Sequence, residues 1–228
     1  MKHLLKNTLA VMFTVVLAGI FMPSCSTGNG DEPDVSKMMY DIATLTSSSE
    51  NGSTVTVRKD ADSPLITLTF ANQQVDTTKV AIGQRFVIAY VPLTPEPYQS
   101  GAAVMYAYLD IYNGTMTVGT KESTNSWATM QQDLMAIWRT GHWINIQAMC
   151  TYDKLKPAKY DLVVNQATLN DEYPEAYLLY ERTTTPGANT KTLYTTFNID
   201  DVWDRDDVLG LKINVFTDQG QQTFTFKK

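Results

Sequence analysis

Two cysteines, two histidines and a run of aspartates are the side chains of this 228-residue chain from which chemistry could be built. Cys25 follows the small residue Ser24 at the end of an apolar stretch, the setting in which an exported thiol receives a diacylglycerol. A nucleophile–histidine–acid constellation would have to use His142, with Cys150 or a serine as nucleophile. Parity opposes it. His142, Ile144, Ile146, Ala148 and Cys150 occupy alternate positions, and most of that face is apolar, so Cys150 reads as an inward packing residue. His142 follows Thr140-Gly141 in a turn and has no nucleophile motif beside it. Neither a catalytic residue nor a zinc site nor a cofactor is expected.

Asp200, Asp201, Asp204, Asp206 and Asp207 gather around Trp203. Oxygen-rich loops can hold calcium, but this spacing matches no EF-hand and lacks the glycine needed at its bend. A solvated structural loop is the expectation, with calcium as its alternative. Tyr106, Tyr108 and Tyr112 share parity, with Asp110 between them, opposite Met105, Ala107, Leu109 and Ile111. If the apolar set faces a core, the tyrosines turn outward as candidate binding residues for a sugar ring or a protein partner. Packing against a second domain is the plainer fate for rings of this size.

The elements that must position these groups are strands. Val55 and Val57 alternate with threonines, as do Ile66, Leu68 and Phe70. Further extended runs are 85–91, 104–112, 143–149, 160–164, 176–180, 193–197, 211–217 and 222–226, separated by Gly, Pro, Asn and Asp. Asp218-Gln219-Gly220 suits a hairpin turn, and Asn113-Gly114 carries a tight-turn signal. Only Met130, Leu134 and Ile137-Trp138 have helical spacing, enough for two turns at most. The chain is predicted to be all-β. A polar stretch over 119–126 separates a first domain, 38–120, from a second, 126–228.

The N-terminus reads as an export signal over residues 1–24. Lys2 and Lys6 precede the apolar run Leu9–Met22, which is shorter than the ~20 residues of a spanning helix. Lipidation of Cys25 would leave a polar tether over 25–37 and a membrane anchor of several acyl chains. Loss of the signal removes Lys2 and Lys6 from the 18 basic residues but none of the 24 acidic ones, for a net charge of −8. That balance, without any basic cluster, disfavours nucleic acid. Cys150 is left without a partner, so no disulfide framework is expected.

The order of these segments resembles the NigD-like lipoproteins of Bacteroidales. The matching stretches are Tyr40-Asp41-Ile42-Ala43-Thr44, the run Gly83–Tyr90, Trp138-Arg139-Thr140-Gly141-His142-Trp143-Ile144-Asn145-Ile146, Leu193–Ile199 and the closing Leu211–Phe226 hairpin. The resemblance implies an N-terminal OB-like barrel followed by a C-terminal β-sandwich. The acidic tether is similar to the surface-export signals of Bacteroidota lipoproteins, which implies the outer membrane and exposure at the surface. The expected function is a non-catalytic, lipid-anchored cell-envelope protein, a binding or assembly module for other surface components. A glycan-binding accessory lipoprotein using the tyrosine face is the alternative.

Overall fold

The computed structural model describes residues 33–123, 130–152, 158–181 and 189–228. The export segment, Cys25 and most of the tether lie outside the described residues, as does part of the 119–126 stretch. Among the described residues no helix is long and apolar enough to cross a membrane.

A 3₁₀ turn at Val35–Lys37, capped by the Asp34 carboxylate, leads into β1 (Met39–Ser49). With β2 (Gly52–Val57), β3 (Ile66–Ala71), β4 (Arg85–Pro92) and β5 (Gly101–Asp110) it forms a closed barrel, in the order β1-β2-β3-β5-β4. Neighbours are antiparallel except β3 and β5, whose parallel pairing closes the barrel. Period-two alternation decides which side chains fill it. Ala43, Leu45, Val55, Val57, Leu68, Phe70, Phe86, Ile88 and Tyr90 point inward and are buried.

The second module contains β6 (Tyr112–Thr115), β7 (Thr117–Gly119), β8 (Asp133–Thr140), β9 (Trp143–Tyr152), β10 (Lys159–Asn165), β11 (Glu175–Glu181) and β12 (Asn189–Asn198). A short helix, α1 (Asp200–Trp203), then precedes the hairpin of β13 (Gly210–Thr217) and β14 (Gly220–Lys227). The strands form two sheets, β14-β13-β11-β10-β7 and β6-β12-β9-β8. Their inner faces enclose a core that includes Ile144, Ile146, Leu162, Leu178, Phe197, Leu211, Ile213 and Val215. The architecture is all-β, an OB-like barrel and a β-sandwich, as expected. Cys150 is a free thiol in the sandwich core, where burial pushes its pKa up and leaves it a packing group.

Four local readings change. The run 104–112 is not one strand: Ile111 is buried between β5 and β6, and β6 pairs with β12. β6 and β7 join opposite sheets of the sandwich, with Met116 buried between them. The chain therefore passes from barrel to sandwich at Ile111, ahead of the polar stretch. Asn113-Gly114 is strand, not turn; a Cβ on Gly114 would stand 2.5 Å from the Phe197 ring, so the glycine permits close packing. The helical spacing at Leu134 and Ile137 belongs to β8, where Met135 is an extra residue opposite β9. That bulge puts residues three apart on one face, and both pack on the core.

Candidate functional site

β4 is buried on both faces. Phe86, Ile88 and Tyr90 enter the barrel, while Arg85, Val87, Ala89 and Val91 lie on its outer face yet are equally covered. The cover over Arg85 and Val87 is the outer face of the β6-β12-β9-β8 sheet. Val87 meets Ile111 and Tyr194, with Ile42 and Trp138 beside them. Asn145, Gln147 and Thr196 of that sheet are buried polar residues, placed there because their strand neighbours point into the sandwich core.

Two arginines pin this seam. Arg85 Nη1 donates to Asn145 Oδ1 at 2.8 Å and Thr196 Oγ1 at 3.0 Å. Its Nη2 donates to Thr140 Oγ1 at 3.0 Å and to the Ile42 carbonyl at 3.3 Å. The guanidinium carbon lies 5.2 Å from the centre of the Trp143 ring. Every one of these acceptors is neutral, and the buried Nε has no partner. Burial without a carboxylate pushes the Arg85 pKa down to about 9. The Asn113 side chain also pairs with the Arg85 backbone, accepting from its N–H and donating to its carbonyl at 2.8 Å each.

Arg139, on β8, makes the second pin. It reaches back to the β2–β3 loop, donating to Asp62 and to the Ala61 carbonyl, and lies over the Trp203 ring at 4.6 Å. The Gly141 N–H donates to the same Ala61 carbonyl at 2.9 Å. Gly141 has φ +57°, and a Cβ there would meet Arg58 Nε at 3.1 Å. Gly141→Ala should therefore cost about 1–3 kcal/mol through left-handed strain and displacement of Arg58. Urea unfolding checks this, and an unchanged midpoint would overturn it.

A cleft of about 390 Å³ opens between the pins. Its barrel wall includes Ile42, Thr44, Thr56 and Arg58; its sandwich wall includes His142, Trp143, Asn198 and Asp200. At the rim, His142 Nδ1 lies 2.7 Å from Asp200 Oδ1 and 3.5 Å from Asp204 Oδ1. These three ligand atoms lie within 4.8 Å of one another, a donor set that could bind a divalent cation. As they stand, the groups satisfy each other. Asp200 Oδ2 also accepts from Asn198 Nδ2 at 2.9 Å, which ties the start of α1 to β12. The other aspartates do not converge here: Asp207 pairs with Arg205, and Asp201 and Asp206 are exposed. Cys150 lies eight residues along β9 from His142, a separation of about 26 Å at strand rise. The two cannot act as nucleophile and base.

The three tyrosines do not form one face. The β4–β5 register shift leaves Tyr106 as an extra residue, which reverses strand parity across it. Tyr106 is 38% exposed, and its hydroxyl lies 3.5 Å from the Pro33 carbonyl. Tyr108 instead packs edge-on to Phe86 against the barrel core, and its hydroxyl accepts from the Asp76 N–H. Tyr112 belongs to the sandwich, edge-on to Phe197. Arg85 escaped attention in the sequence, although it heads an alternation whose other members, Val87, Ala89 and Val91, are apolar.

Asp41, on β1, is a second group without a sequence signal of its own. Its carboxylate accepts from Tyr90 Oη at 2.8 Å and Tyr98 Oη at 3.3 Å. Burial outweighs both hydrogen bonds and raises its pKa to about 6. A raised acid favours the folded state in its protonated form. The associated stability is present below pH 3.8 and lost as pH rises through about 6. Relative to Asp41→Asn, the natural chain should thus lose about 2 kcal/mol between pH 4 and 6.5. Denaturation midpoints of both proteins across that window test this; a constant difference between them would refute it.

No protein-family model matches the chain, and no curated relative matches it. Solved structures do. A protein of unknown function from Bacteroides vulgatus superposes with a TM-score of 0.68 at 16% identity, over 84% of this chain and 90% of that one. A NigD-like immunity protein from Bacteroides caccae gives 0.55 at 10% identity, over 91% and 94%. A candidate lipoprotein from Bacteroides fragilis gives 0.54 at 11%, over 83% and 96%. None of these three carries an enzymatic description. At such identities the likeness concerns the fold, and at that level the NigD-like resemblance read from the sequence is matched by solved structures of Bacteroides proteins.

Proposed function

We propose that this chain is a non-catalytic, lipid-anchored protein of the cell envelope that binds other surface components in the seam between its two β modules. The observation that carries the binding role is the cleft itself, held open between two arginine pins and lined by Arg58 and Arg85. Among the described residues neither Arg58 nor Arg85 has a carboxylate within 4 Å. The anchor rests on the export pattern and Cys25, and the fold likeness to a candidate lipoprotein supports it. The acidic tether favours the outer membrane and its outer surface.

Mass spectrometry of the native protein should find Cys25 as the first residue, bearing fatty acids. Cys25→Ser should move the protein out of the membrane fraction, and protease added to intact cells should cleave the natural form. Affinity capture from intact envelopes should recover a surface component that is lost when Leu65, on the rim of the cleft, is changed to Glu. A different first residue without acyl chains would remove the anchor; capture indifferent to Leu65→Glu would remove the seam as binding site.

A further inference from the structure

We propose that the seam cleft binds a carboxylate-bearing sugar, a uronic-acid unit, with the carboxylate taken by Arg58 under the field of Arg85. This deepens the binding role proposed above and rests on it.

Charge comes first. Two fixed cations line the cleft against one carboxylate, Asp200, whose oxygens are already engaged by His142 and Asn198. Arg85 is only 4% exposed, so its charge sits in a poorly screened setting with neutral acceptors alone. An uncompensated buried charge is costly, and an anion entering beside it recovers part of that cost. Arg85 itself is closed over and acts through its field. Arg58 is half-buried and offers direct donors: Nη1 is engaged by the Ser63 carbonyl, which leaves the Nε and Nη2 edge beside Gly141.

The remaining lining indicates what carries the carboxylate. Thr44 and Thr56 lie directly opposite one another on β1 and β2, and Thr44 is also opposite Arg85 on β4. This places two hydroxyls in a row with the buried cation, on the outer face of the barrel. Leu65, 58% exposed, and Ile42 add apolar surface. Hydroxyls, an apolar wall and a cation suit a ring with several hydroxyls and one carboxylate. A peptide chain end would favour an open strand edge, but β1 is flanked on both sides by β2 and β4. The volume lies at the small end of ligand sites, about 300–1,000 Å³, and admits a sugar unit.

The test uses the full lipid-anchored protein in lauryldimethylamine oxide, a detergent without a sugar. Sodium glucuronate, glucose, sodium acetate and N-acetylalanine are titrated separately by saturation-transfer NMR. Glucuronate should bind at least about tenfold more tightly than any of the other three, and Arg58→Gln should weaken it about tenfold, as expected for loss of charged hydrogen bonds. Leu65→Glu, a surface change that spares the fold, should weaken it similarly by like-charge repulsion. Glucuronate binding no better than glucose, or indifferent to both variants, would overturn the proposal. Equal binding of N-acetylalanine or acetate would overturn the sugar assignment in favour of chain ends or any carboxylate. Envelope capture that depends on Leu65 while glucuronate fails would leave the seam as a binding site and remove only its acidic-sugar ligand.

Discussion

Arg85→Ala is expected to destabilise the chain by about 3 kcal/mol, while Arg85→Met costs only about 1 kcal/mol. The alanine loses four charge-assisted hydrogen bonds, three joining β4 to β8, β9 and β12 and one to the Ile42 carbonyl of β1, and leaves a void in the seam. It also removes a buried charge with no counterion, which offsets part of the loss. Methionine keeps most of the volume. The three side-chain acceptors left behind pair with one another, since Thr196 Oγ1 donates to Asn145 Oδ1 at 3.0 Å and Asn145 Nδ2 to Thr140 Oγ1 at 2.9 Å. Replacing a buried ion by an apolar side chain is commonly near neutral in such a setting. Urea unfolding followed by tryptophan fluorescence separates the cases. Equal losses for both variants would mean that Arg85 contributes chiefly as charge rather than as packing.

Phe197→Ala should cost about 3–5 kcal/mol, the range for deleting a buried aromatic ring. Phe197 is 1% exposed, fills the sandwich core from β12, and lies against Gly114 and Tyr112 of β6. The same contact predicts coupling. Gly114→Ala alone overpacks the ring, by about 1–3 kcal/mol. In the Phe197→Ala background the added methyl enters the vacated space, and most of that cost should vanish. Equilibrium denaturation of the two single variants and the double variant completes the cycle. Additive losses would show that the ring and the glycine are not in energetic contact.

Both predictions concern places where local pattern and tertiary packing part company. Alternation in Val55–Val57, Leu68–Phe70, Phe86–Tyr90 and Ile144–Cys150 was sufficient to name the strands and their inward faces, because one buried face imposes period two. It also placed Cys150 in a core and kept it apart from His142. The same rule misassigned the tyrosine row, since a single extra residue at Tyr106 reverses parity, and a bulge has no reliable mark in composition. A bulge at Met135 likewise gave a strand the spacing of a helix.

By itself, then, the chain's residue order determined an all-β protein with two hydrophobic interiors, since those depend on interactions among near neighbours and on which side chains avoid water. The seam was decided only in three dimensions. Arg58, Arg85, His142 and Asp200 are brought together by packing the outer face of one module on the outer face of another. No periodicity records that, because each strand's pattern reports its own core, and the second burial of an outward face depends on a partner far away along the chain.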